Sequence, residues 1–511
     1  MSTQPLSRSS LPTGALIGAP APAATGIVHL GLGSFHRAHG AVDTALALAA
    51  GGGDWGILGV ANRSRRIVEG LRAQDHLYSV LELTPHGQRT GVVDVHRGTL
   101  VAADDPDGVL AAVADPAHRI VTLTIWEKGY HRSAVTGRLD VDDPQLAGEL
   151  AVGRPRTLLG QLAVGLWHRA LTSQAPVTVL SCDNMQSAGT TTAAMVHEYL
   201  IAAGAPDTVL DAVAATVTFP NAMVDRIVPA TTDATRSAVE RLLGVHDEIP
   251  VPAEQFSMWV LEDRFAAGRP AWEAAGVIFT DEVERYELVK LRLLNGCHSL
   301  IAYLGALDGR ATIPEARAQD VVADCVAAAI DDEYLPSIEL PTGFDAPAYV
   351  AQLFDRWSNT ALADATARVG SDGSNKLLQR VPEPALRLLH QGRTPHQLAL
   401  TVAAWIACVV PPAGFDPGPI AAQMDEPRRA DLARATAGTT TLAAHVEAIM
   451  TGGFFPTALA EQRRFTDRVT ELLDTVVRHG VRTAAADALA SRDPLTAAGT
   501  TATTRQDAAH R

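Results

Sequence analysis

The stretch YELVKLRLLNGCHS, residues 286 to 299, gathers Glu287, Lys290, Asn295 and His298 into a dozen positions. Lysine is scarce in this chain: of 42 basic residues, only Lys128, Lys290 and Lys376 are not arginine. A guanidinium stays protonated in proteins, whereas a buried ammonium can give up its proton. A lysine kept where arginine otherwise serves therefore suits proton transfer. The pattern predicts one helix over about 281–305. At about 100° per residue, with Lys290 at zero, Glu287 falls near 60°, His298 near 80° and Asn295 near 140°. Leu291 and Leu294 share that arc, so the expectation is a polar cluster set among leucines. Gly296 inside the helix costs about 1 kcal/mol relative to Ala, which implies a close approach to the backbone there.

Such residues need a scaffold, and the preceding chain supplies one. Short apolar runs, GIVHLG (26–31), WGILGV (55–60), RIVTLTI (119–125), PVTVLSC (176–182) and ATVTF (215–219), alternate with helix-length segments. Near-continuous apolar strands separated by helices predict a parallel sheet covered on both faces. HLYSVLEL (76–83) and VVDVHRGTL (92–100) read as additional, antiparallel strands. Beyond residue 284 the strand signals fade into Ala- and Leu-rich helical segments. The expected organisation is a lead-in without order (1–24), an α/β domain with an extended Rossmann-type, mostly parallel sheet (25–283), a mostly α-helical domain (284–495) and a disordered tail (496–511).

The first strand runs into GLGSFHRAHG, where Gly31 and Gly33 form a G-x-G turn of the kind that admits a dinucleotide pyrophosphate. His36 stands where a third glycine would complete the motif. His36 and His39 could serve as metal ligands, but no third ligand is evident and a packing role is expected. After the second strand comes ANRSRR, with Arg63, Arg65 and Arg66 and no acid until Glu69. An acid there would bond the ribose of NAD, and a basic cluster can hold the 2′-phosphate of NADP. Both cofactors stay open.

The formal charge of −15 argues against a nucleic-acid or anionic-membrane surface. The four cysteines, Cys182, Cys297, Cys325 and Cys408, lack metal-ligand or disulfide spacing. No apolar run is long enough to span a bilayer, and the N-terminus has no signal-peptide core. A cytoplasmic protein with reduced thiols is expected.

The 290–298 segment resembles the K-x4-N-x2-H signature of the mannitol dehydrogenase family, the long-chain polyol and hexuronate dehydrogenases. GLGSFHRAH, TLTIWEKGY, SCDNMQSAG, FPNAMVDRIVP and GSDGSNKLLQR resemble other family segments, in family order, from about residue 27 to 380. The resemblance implies a metal-independent, NAD- or NADP-linked interconversion of a sugar alcohol and its ketose, with substrate held in a cleft and the enzyme a monomer. It assigns Lys290 as general base, Asn295 and Asn184 as amide donors to the reacting oxygen, and His298 as a contact to a substrate hydroxyl. Asp225, Arg368 and Lys376 would hold the remaining substrate oxygens, and Glu287 would lie on a proton path to the base. Gly31, Gly33, Ser34, Phe35, Arg63 and Glu127 would contact the cofactor, with no metal site.

Two departures stand out: Trp126 replaces the small polar residue expected in TLTIWEKGY, and ANRSRR lacks the acid of NAD-preferring members. Within the family, the alternative to the mannitol/fructose type is the uronate branch, a fructuronate/mannonate reductase, which the placing of Arg380 after Lys376 resembles. Lys376 can equally bond a polyol hydroxyl. Outside it, the alternative is a nucleotide-binding sensor or scaffold without turnover. A zinc alcohol dehydrogenase is disfavoured for want of a ligand set.

Overall fold

The computed structural model describes residues 3–133 and 136–492. The chain divides into two compact units, Met1–Glu287 and Leu288–Arg511.

Twelve strands lie among the described residues of the first unit. They are β1 (Thr25–Leu30), β2 (Gly56–Ala61), β3 (Tyr78–Thr84), β4 (Gly87–Val93), β5 (His96–Val101) and β6 (Ile120–Leu123), then β7 (Val177–Ser181), β8 (Val217–Thr218), β9 (Ala222–Asp225), β10 (Val251–Glu254), β11 (Met258–Leu261) and β12 (Ile278–Phe279). Six of them form a parallel sheet in the order β5-β2-β1-β6-β7-β8. Period-two alternation sends neighbouring residues of one strand into different cores. Ile27 packs with Ile57, Ala45 and Leu48 on one face, while Val28 and Leu30 pack with Val109, Leu159 and Leu166 on the other. Helices on both faces explain why these strands read as unbroken apolar runs. Chain order reverses between β1 and β6, the place where open α/β sheets bind ligands beyond their carboxyl ends.

Two smaller sheets flank this one, β10-β3-β4 and β12-β11-β9. The segment 92–100, expected as one antiparallel strand, is two elements. Its start completes β4, antiparallel to β3, whereas β5 joins β2 in the parallel sheet. The lead-in also differs from expectation, because its described part packs. Leu6 is fully buried with Leu77, Val92 and Val245. The Ile17 amide donates to the Val92 carbonyl at 2.8 Å, so this segment covers the outer edge of β4. The tail from residue 496 lies outside the described residues.

The second unit is helical, and among the described residues no strand follows β12. The helix His396–Val409 is buried at every position from Gln397 onward, as its all-round apolar sequence requires. No described helix is long and apolar enough to cross a membrane.

Candidate active site

The segment expected to be one α-helix, which runs from the end of the first unit into the second, changes its winding. It is α-helical over Val283–Val289, π-helical over Lys290–Gly296 and α-helical again over Cys297–Leu307. A π turn holds about one residue more than an α turn, so passing through it turns the helix face back by roughly 100°. Measured from Lys290, Asn295 thereby moves from about 140° to roughly 40°, and His298 from about 80° to roughly −20°. The three polar groups thus share an arc narrower than regular winding allows. From Val289 to Ala306 every residue is buried except Lys290, Asn295 and His298, which stay partly open. That selective exposure meets the expectation of a polar cluster in apolar surroundings.

Neighbouring side chains fix the winding. The Arg380 guanidinium donates from Nη1 to the Asn295 carbonyl (2.8 Å) and to Ser299 Oγ (2.7 Å). Arg292, buried inside the same turn, reaches Ser337 Oγ at 2.9 Å and pairs with Glu383. A Cβ on Gly296 would come within 2.4 Å of the Tyr334 hydroxyl, so the close approach foreseen at this glycine is made by a tyrosine of the same unit. The His298 ring lies 6.0 Å from that of Trp357.

The segment around Arg368 and Lys376 is arranged differently. Lys376 donates from Nζ to the carbonyls of Val369 (3.1 Å) and Ser371 (2.7 Å). Burial, reinforced by the nearby Arg380 charge, lowers its ammonium to about 8. The Arg368 side chain is 65% exposed and paired with Asp364 one turn earlier, a local ion pair of small energetic weight.

In the first unit, Gly31 follows β1 with φ +103°, and a Cβ there would lie 2.1 Å from the Thr124 carbonyl oxygen. Thr124 Oγ1 in turn donates to the Gly31 carbonyl at 2.7 Å. The loop after β1 is thus bound to the loop after β6. Gly33 begins the short helix Ser34–Ala38 with no side chain capping it, and Ser34 and Phe35 are partly open. An anion can meet backbone amides at such a turn, so these residues fit a dinucleotide pyrophosphate.

His36 and His39 have packing roles. The His36 ring stacks on His29 at 3.4 Å and approaches His96, Nε2 to Nε2, at 3.2 Å. Burial pushes His29 down to about 3 and His36 well below its ordinary value, so both stay neutral. His39 stacks on Phe35. Among the described residues, no group of three or more His, Cys, Asp or Glu is arranged to hold a metal.

After β2, Arg63 is exposed, while Arg65 forms a two-pronged pair with Asp104 and Arg66 pairs with Glu248. Two of the three arginines in the basic cluster are therefore engaged with carboxylates.

After β6 the chain makes an unusual turn. Trp126 has φ +66° and ψ 151° and is 67% exposed. That backbone region belongs ordinarily to glycine and costs of order 1–3 kcal/mol for other residues. Asp183 holds it, accepting from the amides of Ile125 (3.0 Å) and Trp126 (2.8 Å) and from the Tyr130 hydroxyl (2.7 Å). Glu127 is exposed beside it.

Asn184 follows Asp183 and is exposed. Asp225 ends β9, 4% exposed, and pairs in register with Met258 of β11. Glu287, also buried, accepts the Ser187 amide on both carboxylate oxygens at 3.0 and 3.1 Å. That amide opens the helix Ala188–Ala202, so Glu287 holds the chain just beyond Asn184.

Two residues with evident work were not singled out from sequence. Asp183 organises the Trp126 turn. Asn221, in FPNAMVDRIVP, accepts the Thr190 amide on Oδ1 at 3.0 Å and donates its backbone N–H to the Glu262 carboxylate at 2.9 Å. Both stand in segments quoted above, beside the residues that were chosen. A polar residue beside a buried strand, Asp183 two positions after β7 and Asn221 directly before β9, was the available signal.

A parallel sheet of this order, with a glycine turn at its switch point, defines a dinucleotide-binding dehydrogenase fold. The Mannitol dehydrogenase Rossmann domain matches residues 25–274, and the Mannitol dehydrogenase C-terminal domain matches residues 282–474. The chain belongs to the mannitol dehydrogenase family and is an oxidoreductase acting on CH–OH groups. It is 35% identical to the D-mannonate oxidoreductase of Escherichia coli (strain K12), over 89% of this chain and 94% of that protein. It is also 35% identical to a mannitol 2-dehydrogenase of Pyrenophora tritici-repentis, over 89% of this chain and 80% of that protein. Among solved structures it resembles the Pseudomonas fluorescens mannitol 2-dehydrogenase in ternary complex with NAD and D-mannitol. The TM-score is 0.83 at 32% identity, covering 96% of this chain and 100% of that one.

Proposed function

We propose that this enzyme interconverts a sugar alcohol and its ketose, of the mannitol/fructose type, with a nicotinamide dinucleotide as hydride carrier. The reading rests on one observation above all: between Val289 and Ala306, Lys290, Asn295 and His298 alone remain partly open. Lys290 takes the proton of the substrate hydroxyl during oxidation and returns it during reduction. Asn295 and Asn184 donate amide N–H groups to the reacting oxygen, where one such donor is worth about 3 kcal/mol. His298, Asp225, Arg368 and Lys376 bind the remaining substrate oxygens, and Glu287 passes the proton on from the base. The bound dinucleotide supplies the site that accepts or gives hydride. Gly31, Gly33, Ser34 and Phe35 hold its pyrophosphate, with Glu127 nearby. NAD is the proposed form, since a 2′-phosphate would meet Arg63 alone, with Arg65 and Arg66 committed to carboxylates.

One observation favours a second reading, a hexuronate reductase of the fructuronate/mannonate type. The hydrogen bonds of Lys376 run to backbone carbonyls rather than to a carboxylate, which suits an anionic substrate. A screen of mannitol, arabinitol and mannonate with NAD and NADP separates the two, and no nicotinamide reduction with any of them would refute both.

The pH dependence sharpens the choice. With its value lowered to about 8, Lys376 is charged below that pH and neutral above it. If the substrate is an aldonate, its KM should climb as pH rises past about 8, whereas KM for a neutral polyol should stay level. The same shift bears on stability. A lysine with a folded value below its unfolded one opposes folding while charged, so this penalty fades as pH rises from about 8 towards the unfolded value.

A further inference from the structure

We propose that Trp126 forms the wall against which the nicotinamide half of the dinucleotide lies, and that its indole holds the oxidised ring more tightly than the reduced one. The inference rests on the assignment of the turn after β1 to the dinucleotide, and it adds a residue that sets selectivity between redox states.

Placement comes first. Chain order reverses between β1 and β6, and Arg63 follows β2 on one side of that switch point. The adenosine ribose is read at the end of β2 in such folds, so the nicotinamide falls on the β6 side. Trp126 stands three residues beyond β6 and two beyond Thr124, which is hydrogen-bonded to Gly31 itself.

Exposure and backbone come second. Trp126 is the one large aromatic left exposed among the described residues. Its backbone occupies a region natural to glycine. Both features work against the folded chain by itself, yet the turn is fixed at three points by the buried Asp183. A built, strained and water-facing indole beside a ligand-binding turn gains its return when a ligand covers it.

Charge comes third. The oxidised nicotinamide ring carries a positive charge and the reduced ring carries none. A tryptophan face attracts cations more strongly than any other side chain. In this turn the face already attracts one, since the Lys128 ammonium lies 5.3 Å from the ring centroid. An indole beside the nicotinamide therefore discriminates between the two redox forms by charge.

Calorimetric titration of wild type, Trp126→Phe and Trp126→Leu with NAD+ and with NADH tests this. Trp126→Leu should weaken NAD+ binding by about three- to tenfold with much less effect on NADH, and Trp126→Phe should fall between. Wild type should also show a broad charge-transfer absorption on adding NAD+ that Trp126→Leu lacks. Since the side chain is exposed, both variants should keep the wild-type circular dichroism. Equal losses for both redox forms, or no loss for either, would overturn the proposal while leaving the dehydrogenase reading intact. A wild type that binds neither dinucleotide, nor their 2′-phosphorylated forms, would overturn both.

Discussion

Replacing Lys290 by Ala is expected to lower kcat at neutral pH by about 10²–10⁴-fold, the usual contribution of a positioned acid–base group. Dinucleotide binding should survive, because the glycine turn proposed to serve it belongs to the first unit. The arginine-rich composition makes the result diagnostic: where 39 of 42 basic residues are Arg, a lysine kept only for charge would accept Lys290→Arg. That variant should instead be nearly as inactive as the Ala one, since a guanidinium does not give up its proton near neutrality. Small primary amines added to Lys290→Ala should restore part of the rate. Steady-state kinetics with and without such an amine checks all of this, and a Lys290→Ala enzyme with wild-type kcat would remove the assignment of the base.

The second large effect is expected at Arg380, which braces the helix that carries the candidate site. Arg380→Ala removes the guanidinium that donates to the Asn295 carbonyl and the Ser299 hydroxyl. The loss of stability should be about 1–3 kcal/mol, the range for a buried polar group left unsatisfied. Its larger consequence should be kinetic. If the π turn relaxes, Asn295 swings away from Lys290, and a misplacement of about 1 Å is enough to cost about 10²-fold in rate. The decisive measurement is the division between kcat and KM. A brace for the turn shows in kcat, whereas a partner for a substrate carboxylate shows chiefly in KM. Arg380→Lys should recover part of the stability, and recovery of kcat along with it would support the bracing role. A drop in stability with kcat unchanged would refute it.

Much of the scaffold is readable from local pattern. The five apolar runs become parallel strands because helices on both faces make every strand position apolar, and that leaves a plain trace in composition. The helical second unit shows itself in the same way, by the loss of β-branched runs. The misses share a different cause. Leu6 and Leu16 are separated by polar residues and proline, so the packing of the lead-in against Val92 and Val245 has no periodic signature. The change of direction between β4 and β5 is set by long-range pairing with β2, which no local pattern carries.

The candidate site divides along the same line. Lys290, Asn295 and His298 are conspicuous by type and spacing, but their true angular relation is hidden. A π turn is stabilised by groups distant in sequence, here Arg380 and Tyr334, so a calculation at 100° per residue spreads the cluster too widely. The reach of Asp183 to three donors likewise depends on β6 and β7 lying side by side.

The π turn also bears on how this chain can change. A helix wound this way carries one residue too many for the most stable ladder, so deleting any single position between Leu291 and Leu294 would let it settle into regular α geometry. Such a shortened helix would hold together better and keep its amide at about 40° and its imidazole at about −20° from the amine, because one residue fewer at about 100° each reproduces those directions. A helix of unchanged length that regained α winding would turn both away. Among variants of this segment, gains in thermal tolerance should therefore travel with loss of turnover when the length is kept, and part from it when one residue is removed.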